Sequence, residues 1–434
     1  MKNEFSESAK GLLRFIDSTP TPYHAAEKLT KMLEKAGAVK LTETDRWEKL
    51  VPGKIYFFVR NDTCTVAFRL GSGSPAETGW HVSLSHLDYP CLRVRPDPSA
   101  VCDSYERIGA ETYGGLIHHS WFNRPLSLAG RVYVRDGYGQ GLNAVNINVA
   151  RPLLVIPELA IHMNGGVNEN AKFNPQTELI PIFSQDFENR KSFIEFIAKK
   201  AEVKAEDILS YDLSVYDASP SVTAGADNEF ISAPHLDNGE MVYCSFKGFI
   251  DSSENECSPD IGSMVIAYDH EEVGSVSDRG ARSDLLSSVL SRIHENIGLS
   301  SEDLRRAQLK TVICSADMAH ASHPSYPGTF DADHKVFVNK GPVLKHSFSQ
   351  KYIESPKAAA LFRKFCADNG IPFQEFVNRN DAGGGSTVGP ASASAVGAIG
   401  FDIGNAIFSM HSIREFGGTK DVEYALRFFR AFHR

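Results

Sequence analysis

Apolar residues recur at helical spacing over residues 5 to 18 (Leu12, Leu13, Phe15, Ile16) and again over 22 to 37 (Ala25, Leu29, Met32, Leu33). The Thr-Pro-Thr-Pro run at 19 to 22 separates them, so two helices are expected to open the chain. The pattern then changes. KIYFFVR and TVAFRL alternate, and an apolar run follows in WHVSLSH, which predicts strands feeding one sheet. From about 126 to 160, LSLAGRVYV, VNINVA and LLVIP read as strands parted by Gly and Asn turns. After about residue 262 apolar strands alternate with helices: SMVIAYDH, a helix over 281 to 297, TVICSAD, a helix over 356 to 368, GAIGFDIG and a helix near 420 to 432. That alternation predicts a three-layer α/β/α domain, made of residues 1–91 and 234–434 and interrupted by a β-rich insertion, residues 92–233.

Composition narrows the class without naming a function. The chain has 434 residues, 42% of them hydrophobic and 23% charged, which suits a soluble globular protein of more than one folding unit. Lys plus Arg number 45 against 54 Asp plus Glu, a net charge of -9, and no long basic run tracks a phosphate backbone, so nucleic acid is not an expected partner. MKNEFSESAKGLLRFID lacks the apolar core of a signal peptide, and no stretch approaches ~18 uninterrupted apolar residues, so a cytoplasmic protein with no membrane partner is expected. Seven scattered cysteines (Cys64, Cys91, Cys102, Cys244, Cys257, Cys314, Cys366), never in a CxxC pair, read as reduced thiols rather than a disulfide framework or a thiolate zinc site.

Several predicted strands end in an acid or a histidine. WHVSLSH runs into His86 and Asp88, SMVIAYDH into Glu271 and Glu272, and TVICSAD into Asp317. Open α/β sheets place their sites outside the carboxyl ends of strands, so these distant residues are candidates for one edge. Taken singly, a strand-terminal acid reads as a cap or turn residue, and a lone His-x-Asp as a satisfied loop pair. The i, i+2 spacing of His86 and Asp88 puts both on one face of an extended segment, where an imidazole can ligate a metal while the acid holds its other nitrogen or orients the backbone. Adjacent carboxylates at Glu271 and Glu272 behind a buried strand call for a cation, with one ligating and its neighbour free to act as a general base. His411, in FSMHSIRE, lies between an apolar segment and an expected helix carrying Arg414 and Glu415 in its first turns. By itself it reads as a packed or capping histidine. Two histidines with three carboxylates would approach the balance of two dications, whose total charge is about four. DAGGGSTVGP offers Ser386 in a tight turn but neither a GxSxG elbow nor a GK[ST] ending, and it reads, as Cys314 does, more as structure than as a nucleophile.

Together these motifs resemble the aspartyl aminopeptidase family of cocatalytic zinc metallopeptidases. The resemblance spans nearly the whole chain, through STPTPYHAAEKL, SHLDYPCLRVRP, GGLIHHSWFNRPLSLAGRV, IPELAIHMNGGVNEN, ISAPHLDN, YDHEEVGS, SADMAHASHP, NKGPVLK, RNDAGGGSTVGP and SMHSIREFGG. It implies zinc ligands at His86, Asp237, Glu272, Asp317 and His411, with Asp237 bridging two ions per subunit for which Co2+ or Mn2+ can substitute. It further implies Glu271 as the catalytic base, Asp88 as the supporting acid beside His86, and Lys345 as the residue that meets an acidic first side chain of the substrate. By the same resemblance the insertion is a dimerisation domain, His162 reaches into a neighbouring subunit's site, and subunits form homo-oligomers, dodecamers built from dimers. The implied reaction removes the first residue, with Asp or Glu preferred, from short peptides with a free amino end. Another dinuclear zinc amidohydrolase and an inactive scaffold are the rival readings. The sequence departs from the family pattern at Asn123 and Pro125, where acids are usual, and at His235 before the bridging acid.

Overall fold

A computed structural model of the chain describes residues 2–135, 141–169, 172–185, 192–253 and 259–434. The two opening helices are Lys2–Ser18 and Pro22–Lys35, and the second starts with proline in its first turn, where a missing N–H costs nothing. A nine-stranded sheet forms the centre, in the order Val39–Lys40, Ile55–Arg60, Cys64–Arg69, Gly262–Tyr268, Trp80–His86, Val312–Ala316, Ile399–Gly404, Val343–His346, Gln374–Val377. From Gly262–Tyr268 to Ile399–Gly404 neighbouring strands are parallel. Gly262–Tyr268 and Val312–Ala316 are buried along their whole length, which is why they read as continuous apolar runs rather than as alternation. Helices Leu236–Asp251, Pro356–Asp368 and Thr419–Phe432 bury Phe246, Phe249, Phe362, Phe428 and Phe432 against one face of the sheet. Leu285–Asn296 and Val388–Val396 cover the other, around Trp80, Tyr268 and Leu290. The expected three layers are present.

Between Trp80–His86 and Leu236–Asp251 the chain builds a six-stranded antiparallel sheet, ordered Leu142–Asn148, Leu126–Arg135, Ile208–Asp217, Cys91–Cys102, Tyr105–Tyr113, Ile182–Gln185. It has a core of its own, including Trp121, Leu128, Val132 and Leu213. Three expectations need correction. LLVIP is no strand and makes only the bridges Leu126–Leu154 and Val155–Ile182, because Pro152 and Pro157 bring no N–H to a ladder. The helix expected over 281 to 297 begins only at Leu285. Arg414 and Glu415 do not open a helix. Glu415–Gly418 is a strand paired with Phe230–Ala233, and Gly417 and Gly418, poor helix formers, delay the last helix to Thr419.

Among the described residues no helix is long and apolar enough to cross a membrane. Six cysteines are unpaired, only Cys102 exposed, and Cys257 lies outside the described residues.

One buried acid in the core gives the fold a pH dependence. Glu240, on Leu236–Asp251, is fully buried; Asn405 Nδ2 donates to its Oε1 at 2.6 Å, while Oε2 has no partner. Burial pushes its pKa from the ordinary 4.5 up to about 8. Between those values the folded chain keeps a proton that the unfolded chain releases, so stability falls as pH rises, by up to about 1.4 kcal/mol per pH unit. Glu240→Gln is expected to remove that share of the slope, read from urea unfolding midpoints at pH 5.5 and pH 8. A slope equal to wild type would show that Glu240 does not hold the proton.

Candidate metal centre

The strands Gly262–Tyr268, Trp80–His86 and Val312–Ala316 lie side by side, with Tyr268 level with His86 and Ser315 level with Leu84. Their carboxyl ends therefore open on one edge of the sheet. His86 ends its own strand, Glu271 and Glu272 follow Tyr268 in the short turn Glu271–Val273, and Asp317 follows Ala316. Asp237 comes from the start of Leu236–Asp251, where the backbone is not yet helical: φ is -80° and ψ 106° at Asp237. Next to it, Asn238 Nδ2 donates to the carbonyl of Ala316 at 2.8 Å, fastening this segment to the strand that leads to Asp317. His411 lies in a turn with φ of 67°.

Both imidazoles are held in one tautomer by a backbone carbonyl. His86 Nδ1 donates to the Asp88 carbonyl at 3.0 Å and His411 Nδ1 to the Gly115 carbonyl at 3.0 Å. A carbonyl only accepts, so each Nδ1 carries a proton, and Nε2 is the nitrogen of each ring that a metal would take in exchange for its proton. His86 Nε2 stands 3.5 Å from Asp237 Oδ1 and 3.5 Å from Asp317 Oδ1. His411 Nε2 stands 3.5 Å from Asp237 Oδ2 and 3.5 Å from Glu272 Oε2. Two atoms that ligate one zinc ion tetrahedrally at about 2.1 Å are separated by about 3.4 Å. The four spacings match that separation, and the two oxygens of Asp237 face different imidazoles. Ligand atoms of His86, Asp237 and Glu272 also lie within 4.8 Å of one another.

The electrostatics call for cations. Asp237 Oδ1 is buried with no hydrogen-bond partner. Burial pushes Glu271 up to about 7, and the negative charges of Asp317, Asp88 and Asp237 add to this against the opposing pull of His86. Burial and the Asp237 charge push Glu272 well above its ordinary range. Burial disfavours the His86 imidazolium, yet Asp237, Asp317 and Asp88 outweigh it and hold this pKa well above normal. Acids and imidazoles alike are driven to keep protons at the positions that dications would fill, and two His with three carboxylates suit zinc.

Asp88 supports the centre without facing it directly. Its carboxylate accepts the backbone N–H of Glu271 and of Glu272, both at 3.0 Å, and the Tyr113 hydroxyl at 2.7 Å. It thereby fixes the turn that carries both glutamates. Burial opposes its charge, but these bonds and His86 hold its pKa below normal. Glu415, placed in a helix by sequence reasoning, is a second support: its Oε1 accepts the N–H of His411 at 2.8 Å and its Oε2 the N–H of Asp237 at 2.9 Å. Tyr113 and Gly115 were also missed as site residues. Their signal was the Tyr-Gly-Gly run: Gly114, at φ of 74°, passes so close to Glu272 that a Cβ would come within 3.1 Å of the Glu272 Cβ.

Two residues implied by the resemblance sit differently from the ligands. His162 is exposed in a loop with Leu159, Ile161 and Met163, and within one chain it meets none of the centre's described side chains. Lys345 is buried beside the centre, with its Nζ 3.5 Å from Asp317 Oδ2, 3.3 Å from the Met318 carbonyl and 4.9 Å above the Tyr352 ring. Burial disfavours its ammonium, yet Asp317 and Asp402 outweigh it and raise its pKa.

Comparison with known proteins gives the family. Residues 15–433 match the model of the family described as aminopeptidase I zinc metalloprotease (M18). The chain is 38% identical over 437 residues to a probable M18 family aminopeptidase 2 of Clostridium acetobutylicum, covering 100% of both. It is likewise 38% identical over 435 residues to a probable M18 family aminopeptidase 2 of Pseudomonas aeruginosa, covering 99% of this chain and 98% of the relative. Among solved structures, a chain of the Ape4 and Nbr1 complex superposes with a TM-score of 0.95 at 35% identity, covering 99% of this chain and 86% of that one. The mApe1 dodecamer of S. cerevisiae gives 0.86 at 26% identity, covering 100% and 97%. Full-length relatives, a shared fold and two imidazoles facing one buried carboxylate converge on a single conclusion: the chain belongs to the aminopeptidase I zinc metalloprotease family, M18, and is a zinc aminopeptidase.

Proposed function

We propose that this enzyme removes the first residue from short peptides with a free amino end, and that it does so at two zinc sites in each subunit. The observation that carries this reading is the position of Asp237, whose two oxygens face His86 and His411 separately. On this reading His86 and Asp317 hold one ion, His411 and Glu272 the other, and Asp237 both. When bound, such ions acidify a water and polarise the carbonyl of the bond to be cut. Glu271, free of any ligand role, takes the proton of the attacking water and passes it to the departing amine. Asp88 keeps Glu271 in place through its backbone N–H.

The first side chain falls to Lys345. Its buried ammonium has donors to offer besides the one toward Asp317, so an acidic substrate group gains a charge-assisted hydrogen bond, whereas an apolar one gives the ammonium no new partner. Losing such a partner costs about 1–3 kcal/mol, roughly tenfold to a hundredfold in kcat/KM. We expect peptides beginning with Asp or Glu to be preferred over those beginning with Leu, Met or Lys, and the Asp-to-Leu ratio to fall by that factor in Lys345→Ala. The same panel tests the wider reading: N-acetylation of each peptide should abolish cleavage, and equal cleavage of acetylated and free forms would point to another amidohydrolase. A wild-type preference for Leu would remove Lys345 from this role while leaving the aminopeptidase in place.

Residues 1–91 and 234–434 then form the metallopeptidase domain and 92–233 the insertion that pairs subunits, a division supported by the insertion's separate sheet and core. The mApe1 neighbour is a dodecamer. We read this chain as a homo-oligomer of the same kind, in which exposed His162 completes a neighbour's centre and stabilises the oxyanion formed there. The free thiols suit the reducing cytoplasm.

A further inference from the structure

One cation that lines a cavity together with Glu271 has no part in the reaction as read so far. A cavity of about 290 Å³ is lined by Glu271 together with Ser275, Arg282, Ser386, Thr387 and Ser394. Arg282 is exposed, and among the described residues its guanidinium pairs with no carboxylate. Its neighbours are committed: Arg60 pairs with Glu43 and Asp284, and Arg279 lies 3.8 Å from Asp269. A second cavity of about 290 Å³ is lined by His320, Phe376, Phe408 and Met410, the residue before His411. Phe376 is the register partner of Lys345 on the neighbouring strand. In the sheet, the strand leading to Glu271 and the strand carrying Phe376 stand apart, with those of His86, Asp317 and Lys345 between them.

The centre thus has two sides, and the aminopeptidase reading, on which this inference rests, tells them apart. Glu271 delivers its proton to the departing amine, so the departing residue lies on the Glu271 side and the first residue on the Lys345 side. We propose that the cavity from Glu271 to Arg282 is the subsite for the departing residue, and that Arg282 binds a carboxylate carried by that residue. In a dipeptide the cleaved nitrogen and the terminal carboxylate are attached to the same Cα, so the anion falls inside this cavity. A guanidinium meets a carboxylate through two parallel N–H bonds, which a backbone amide or a neutral side chain does not offer. Dipeptides, and longer peptides with an acidic second residue, are the favoured class.

The test holds the first residue constant and compares kcat/KM for Asp-Ala, Asp-Ala amide and Asp-Asp amide in wild type, Arg282→Gln and Arg282→Lys. The two amides separate a terminal carboxylate from an acidic side chain as the source of the anion. Wild type is expected to favour Asp-Ala over its amide by about two- to fivefold, the scale of one exposed ion pair. Arg282→Gln should bring that ratio close to one, and Arg282→Lys should retain part of it. A wild-type ratio near one, or a ratio that Arg282→Gln leaves unaltered, overturns the proposal. Absence of first-residue release from every peptide is a different result: it removes the aminopeptidase reading and this subsite together.

Discussion

Glu271→Gln is expected to lower kcat by about 10²–10⁴-fold, the span that a positioned general base contributes, while zinc content stays at the wild-type level. In barrier terms this is about 3–5 kcal/mol. The side chain fits that role because it shares the turn Glu271–Val273 with the ligand candidate Glu272 yet faces neither imidazole within 3.5 Å. Gln keeps the shape and the backbone N–H that Asp88 accepts, so the turn is not released. Metal analysis alongside steady-state kinetics decides the matter: near-normal kcat with full metal would take the base away from Glu271. The same variant also probes His162. If His162 acts across an interface, mixing Glu271→Gln subunits with His162→Ala subunits restores activity, and verified mixed oligomers that stay inactive would confine His162 to its own chain.

Asp237→Ala should be the most damaging single change to metal binding. Each of the other ligand candidates faces one cluster, whereas the oxygens of Asp237 face His86 and His411 in turn. Its loss leaves two half-sites that each lack an anion, so zinc measured after gel filtration should fall below one ion per chain and turnover should vanish with it. Full occupancy of both sites in this variant would defeat the bridging role. Because Asp237 is buried and its N–H is tied to Glu415, the far-ultraviolet circular dichroism of the variant separates loss of metal from loss of fold.

The sequence made the strands and their terminal acids legible, since strand period and strand ends are local signals. His86, Glu271, Glu272 and Asp317 were placed on one edge by the general rule for α/β sheets, and the register of three parallel strands bears that out. Glu415 was hidden for a physical reason. Its extended backbone is imposed by pairing with Phe230–Ala233, far away in the chain, which overrides the helix suggested by its own neighbourhood. The bonds of Tyr113 to Asp88 and of Gly115 to His411 are likewise products of tertiary packing, and the Tyr-Gly-Gly run signals a close backbone approach there without naming either partner. Lys345 entered through the resemblance alone, and its burial beside Asp317 is a product of tertiary packing that NKGPVLK does not show by itself.

Glu415 also sets limits for anyone redesigning the centre. His86 and Asp317 are each delivered by the end of a separate strand, so replacing either to alter the metal preference disturbs one donor at a time. Asp237 and His411 are different, because one carboxylate grips the main chain of both. Retuning either of that pair by a longer or shorter side chain shifts the yoke and carries the other with it, and an Asp at 415, one methylene shorter, would have to let go of one of them. Effects of substitutions at 237, 411 and 415 are therefore expected to be non-additive, and a library that varies them together will find solutions that stepwise replacement misses.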